Sequence, residues 1–146
     1  YYKMFTNKNE VSSLKGLHVT MALPGRGMLI PFGIFKKLKG FDEKFMQYHS
    51  DFDFCLRAKK KGYNLFISWE VIVYSFIEET GEGTSYLKTS FSTFVSSFFK
   101  KQSRINLKDN ARYLFRHGNK LLFPLTYLIF LMSCFNAHFF KKKING

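Results

Sequence analysis

The first 18 residues are polar and carry no period, and a pattern emerges only at residues 17–21, which predict a strand. Residues 28–30 are a short apolar run after Gly25-Arg26-Gly27 and predict a second, buried strand. Pro31 then suits the first position of a helix, where its missing N–H costs nothing, with Phe32, Phe35 and Leu38 on one face. Lys36, Lys37 and Lys39 complement the negative end of that helix, and Gly40 closes it. After a turn at Phe41-Asp42-Glu43, Ser50 is placed to cap a further helix, with Asp53 in the position of a capping-box acid. Phe52, Cys55 and Leu56 form its expected buried stripe, and Gly62-Tyr63 ends it. Residues 64–68 and 71–76 read as strands. The order strand, helix, helix, strand, strand suits part of an α/β domain.

Beyond Glu78-Glu79-Thr80-Gly81 the period becomes helical, with Leu87, Phe91, Phe94, Val95 and Phe98 separated by serines and threonines. Asn106 caps a helix whose apolar face is Leu107, Ala111, Leu114 and Phe115 and whose stop is Gly118; another helix covers about 120–140. The expected organisation is therefore an α/β part, 1–80, and a helical tail, 81–146, dividing near 81–83. Residues 121–140 contain no Lys, Arg, Asp or Glu and match the roughly 20 residues of a bilayer span. Pro124, Asn136 and His138 dilute that run, and lysines flank both ends without asymmetry. A helix lying in the membrane interface, or one packed on the two helices before it, fits better than a span.

Composition changes the picture in two ways. The 146 residues make a one-domain length, and a chain opening on Tyr1 within a polar stretch reads as a segment of a longer protein. Aromatics are 19% of residues and include 19 Phe, which implies a dense core or a greasy face that meets something else. The net charge of +13 favours polyanionic partners: an anionic membrane surface, phosphorylated small molecules or nucleic acid. The lysines cluster mostly at helix ends, and no nucleic-acid motif accompanies them, so nucleic acid is not the expected partner. Cys55 and Cys134 lie far apart in apolar-patterned helices and read as buried free thiols. No CxxC or HxxxH spacing indicates a structural zinc site.

The candidate chemistry centres on two acids. Asp53 has a local partner in Arg57 at i+4, a pair worth a few tenths of a kcal/mol on an exposed face. Asp51 lies about 200° away around the same helix and has no obvious local partner. Gly25-Arg26-Gly27 is equally a plain turn or a ligand-lining loop. Trp69 and Tyr48 fit core packing at least as well as a ligand-contacting role.

The segments GRGMLIP, FKKLKGFDEKF and SDFDFCLRAKKKGY, over about residues 20–76, resemble the second half of an inverting family 2 glycosyltransferase of the GT-A fold. The shared features are Leu29–Ile30, the turn Gly40 to Glu43, Asp51 and Asp53 at a helix start, Leu56-Arg57 and Gly62-Tyr63. The resemblance implies a partial GT-A domain and transfer of a single sugar from a nucleotide-sugar to an acceptor hydroxyl, with Asp51 as the catalytic base. It makes Arg26, Gly27, His49, Ser50 and Asp53 candidates for substrate contact, with Arg26 near the diphosphate or acceptor and His49 at the acceptor pocket. Ser50 replaces the family's usual glutamate. A divalent metal, Mg or Mn, is implied, but its main ligands would belong to a donor-binding half outside these residues. A late-strand histidine of many relatives is replaced by Tyr74 or Ser75. Gln102-Ser103-Arg104 does not match the Gln-x-x-Arg-Trp signature of processive synthases, which favours single transfer. The implied partners are a nucleotide-sugar donor and a glycan or lipid-linked acceptor, in surface polysaccharide or glycolipid assembly. The implied place is cytoplasmic, peripheral at the inner face of the cell membrane. The alternative from the residues alone is a non-catalytic basic module for a membrane surface or nucleic acid.

Overall fold

The computed structural model describes residues 15–45, 48–71, 73 and 89–144, with side chains to residue 140. Leu87, Tyr74, Ser75, most of the strand expected over 71–76 and the expected division near 81–83 lie outside the described residues. Strands β1 (Leu17–Thr20) and β2 (Leu65–Ser68) stand where the pattern put them. They pair antiparallel, Leu17 opposite Ser68 and Thr20 opposite Leu65. Trp69 N–H donates to Gly16 C=O and extends the ribbon by one bond. Two strands bury too little to stand alone. Leu17 and Val19 are exposed, while Leu65 packs into the helical core below.

Residues 28–30 are not a strand. Only Ile30 turns inward, Leu29 is exposed, and Pro31 at once opens helix α1 (Phe32–Lys37), leaving no room for a ladder. Pro31 flanks that helix, and its C=O accepts from Ile34 and Phe35 N–H. The inward face of α1 is Ile34, Phe35 and Leu38; Phe32, expected there, is exposed. The exit needs left-handed backbone at Lys39 (φ 59°) and Gly40 (φ 66°). A side chain at Gly40 would meet the Phe35 ring at 3.1 Å, so this glycine serves both the turn and the packing.

Helix α2 (Ser50–Lys60) buries Asp53, Phe54, Cys55 and Ala58; Phe52 and Leu56 are only half-buried. The expected stripe is thus rotated. Phe54 enters an aromatic cluster with Phe35 and Phe41, at 5.9 and 5.2 Å between ring centroids, and Asp53 is drawn inward by cations. Leu38, Phe54 and Ala58 form the centre of this first core.

Helices α3 (Phe91–Ser97), α4 (Leu107–His117) and α5 (Phe123–Ile144) build a second core around Phe94, Phe98, Ile105 and Cys134. Ser90 and Asn106 cap α3 and α4, accepting from Thr93 and Asp109 N–H, and Gly118 ends α4. Phe91 touches Phe139, Phe98 touches Phe135, Tyr127 donates to Leu107 C=O and Phe115 touches Phe123. The C-terminal half of α5 therefore runs antiparallel along α3, and its N-terminal half along α4. Cys55 and Cys134 are both buried free thiols, as expected.

The two cores are not independent. One face of α4 meets α5 through Leu107 and Phe115. The other face, polar, meets α2 and the turn before it through Asn110, Tyr113, Arg116 and His117. The α/β part and the helical tail anticipated from sequence are joined by ion pairs across this face.

Candidate functional site

The start of α2 differs from the sequence expectation in its cap. His49, not Ser50, is the N-cap residue, in a left-handed conformation (φ 71°) without a side-chain capping bond. Its C=O accepts from Asp53 N–H at 2.7 Å, and Ser50 is the first helical residue, half-buried. A left-handed histidine is strained, since its Cβ crowds the following carbonyl. Two contacts hold it there. The His49 ring stacks on Tyr113 at 4.5 Å, and Nε2 lies 3.2 Å from Asn110 Oδ1. Burial, partly offset by Asn110 and nearby acids, pushes the His49 pKa down.

Asp51 is not without partners. Gly25 N–H donates to its Oδ2 and Phe52 N–H to its Oδ1, both at 2.8 Å. The carboxylate stays part-exposed. These bonds seat the Gly25-Arg26-Gly27 turn against the first turn of α2. Gly27 has φ 74°, and a Cβ there would fall 2.6 Å from a methyl of Val73, so any larger residue would displace the loop. Arg26 is exposed at the tip of this turn. The structure thus brings Asp51, the glycine loop and His49 to one end of α2.

Asp53 faces elsewhere and is fully buried. Its Oδ2 accepts from Arg57 Nε, and its Oδ1 from Arg116 Nη1 and His117 Nε2, each at 2.8 Å. Neither capping nor an exposed pair describes it: the i, i+4 partner exists, but inside a hub. Arg57 also donates to the carbonyls of Leu38 and Gly40, and Arg116 Nη2 reaches Asp42 Oδ2 at 2.6 Å. Burial alone would raise the pKa of Asp53; the bonds from His117, Arg116 and Arg57 outweigh it and hold the carboxyl below its ordinary value. Asp42 is lowered in the same way, with Lys44 N–H and Arg116 overcoming burial. Burial pushes His117 down despite Asp53 beside it. The ring donates through Nε2, and Nδ1 is buried with no hydrogen-bond partner, so protonation there would bury an N–H without an acceptor. His117 is therefore a neutral donor in this hub. Asp53, named above for substrate contact, has its carboxylate committed to holding α4 on α2.

Asn110, Tyr113, Arg116 and His117 were not singled out from sequence. Their signal was present: Asn106, Asp109, Asn110, Tyr113, Arg116 and His117 form a polar stripe at helical spacing, opposite the apolar face of α4. Buried Asp109 and Asn110 lie on this stripe, which is why α4 hides polar side chains.

A groove of about 470 Å³ is lined by Lys44, Phe99, Lys101, Lys108, Asp109 and Arg112, among others. A shallower one surrounds Leu38 to Lys44 with Arg57 and Arg116. Asp51 and the glycine loop line neither. Among the described residues no group of three or more His, Cys, Asp or Glu is placed to hold a metal ion. Trp69 is half-buried, edge-on to His18 at 6.5 Å in the ribbon. Scans against protein-family models, curated proteins and solved structures found no match.

Proposed function

We propose that the chain is the acceptor side of an inverting glycosyltransferase, with Asp51 as the base. The observation that supports this reading is the division of labour between the acids of α2. Asp53 is closed into the hub, whereas Asp51 keeps a part-exposed carboxylate fixed beside the glycine loop. A carboxylate has about four lone-pair sites, so the two backbone donors leave capacity for an acceptor hydroxyl. The hydroxyl oxygen attacks the anomeric carbon of a nucleotide-sugar as its proton passes to Asp51. The bond from that carbon to the nucleoside diphosphate breaks, its electron pair leaves with the diphosphate, and the anomeric centre inverts. A positioned base of this kind contributes about 10²–10⁴-fold to rate. On this reading Arg26, exposed at the loop tip, would meet phosphate or acceptor oxygens. His49 and Tyr113 wall the same end of α2.

The test is sugar transfer by the full-length protein over a panel of nucleotide-sugars. Asp51→Asn is expected to lower turnover by about 10²–10⁴-fold while the circular dichroism spectrum stays unchanged. Retained turnover would sink the assignment of the base. If the wild type neither transfers nor hydrolyses any donor, the enzyme reading falls with it.

A further inference from the structure

One side of α5, with Phe123, Tyr127, Phe130, Cys134 and His138, is turned to α3 and α4. The other side is exposed and apolar but for Asn136: Leu125, Leu128, Ile129, Met132 and Phe139 are each more than half accessible, with Leu128 at 53% and Met132 at 57%. Helix α3 continues this surface, because Phe91 lies 6.1 Å from Phe139, Val95 is exposed on the same short helix and Phe99 is exposed in the turn just past its end. A contiguous apolar surface of this kind marks an interaction site. At its edge Phe99, 72% exposed, is also a wall of the groove lined by Lys44, Lys101, Lys108 and Arg112. Greasy face and basic groove therefore share a border.

We infer that this face docks onto an anionic lipid bilayer, with α3 and α5 lying in the plane of the interface and the groove cations at the head groups. The inference is independent of the glycosyltransferase reading. Charge selects the occupant: a net charge of +13 repels a second copy of the chain and attracts acidic lipid. Geometry selects the pose. Phe123–Phe140 is apolar enough to cross a membrane by composition, but α5 lies side-on along α3 and α4. A span would carry the exposed Ser92 and Ser96 of α3 into hydrocarbon along with it. An in-plane helix buries its outer side in the acyl boundary and leaves those hydroxyls at the polar level.

Flotation of the intact protein with phosphatidylcholine vesicles, with and without phosphatidylserine, tests the proposal. Binding is expected on the phosphatidylserine vesicles and to weaken as salt rises. Leu128→Glu/Met132→Glu should lower it about 100-fold. Lys101→Glu/Lys108→Glu should lower it about tenfold or more on acidic vesicles and leave binding to neutral ones unchanged. All four positions are exposed, so a melting curve separates lost docking from lost fold. Failure of the wild type to float, or flotation of both variants as well as the wild type, overturns the inference. A concentration-dependent dimer in sedimentation, abolished by Leu128→Glu/Met132→Glu without any lipid binding, would make a second copy the occupant and also overturn it.

Discussion

At the scale of single residues, Asp51 and Asp53 are separated by two positions and by opposite roles. Removing one partner of a buried pair leaves the other charges uncompensated, at a cost of about 3–5 kcal/mol. Asp53→Asn is therefore expected to destabilise by up to about 3 kcal/mol in urea unfolding, the lower end of that range, because Arg57 and Arg116 lose their buried acceptor but stay part-exposed and keep other partners. Asp51→Asn keeps one acceptor oxygen, gives up one of two bonds from backbone donors at a part-exposed site and should cost about 1 kcal/mol or less. A reversed ranking would mean that the hub does not anchor the fold. The pH dependence follows from the same groups. His49 and His117 are depressed, so below the ordinary histidine value the unfolded chain binds more protons, and stability falls as pH drops through about 6.5 and lower. Asp42 and Asp53 are also depressed, so their contribution is full above about pH 4 and is lost on further acidification. Asp109, raised by burial, acts with the opposite sign near its own titration. His117→Gln keeps an N–H donor for Asp53 and should flatten the upper part of this profile, as read by urea midpoints against pH.

At the scale of elements, what was legible depended on what each pattern encodes. Asn106 and Gly118 bound α4 as read from sequence, because a cap and a stop are local chemistry. Asn106→Ala is accordingly expected to lower the melting temperature, corresponding to about 1 kcal/mol. Strands β1 and β2 were legible one by one as short runs of β-prone residues opened by Gly16 and Asn64. Three features were not legible. Residues 28–30 have strand-like composition but no partner strand and a proline directly after them. Ser50 is a good cap by type, yet the chain turns left-handed at His49 because Tyr113 and Asn110, some 60 positions on, hold that ring. The inward face of α2 departs from the apolar pattern at Asp53, because Arg116 and His117 from α4 make burial of its charge acceptable. In the last two cases a distant contact overrode a local preference, and no local pattern reports a distant contact.

At the scale of the whole molecule, the sequence divides near residue 81 but the packing does not. Arg116 joins Asp42 to Asp53, Arg112 donates to Lys44 C=O, and Lys60 donates to Arg116 C=O, all across that division. A chain ending at residue 80 should therefore lack a cooperative unfolding transition even though it carries β1, β2, α1 and α2; a sharp transition from that fragment would show two separable units. The candidate site has the same dependence, because Tyr113 and Asn110 hold the residue that opens α2. The hub also constrains how this sequence can drift over time. A neutral residue at position 53 would be tolerated only alongside the loss of cations at 57 and 116, so these positions should change together or not at all. Asp51 is not tied to remote side chains in this way: its two bonds come from backbone N–H groups, which every non-proline residue supplies. Among descendants of this chain, the hub should therefore vary as a set, while position 51 answers to selection on its own.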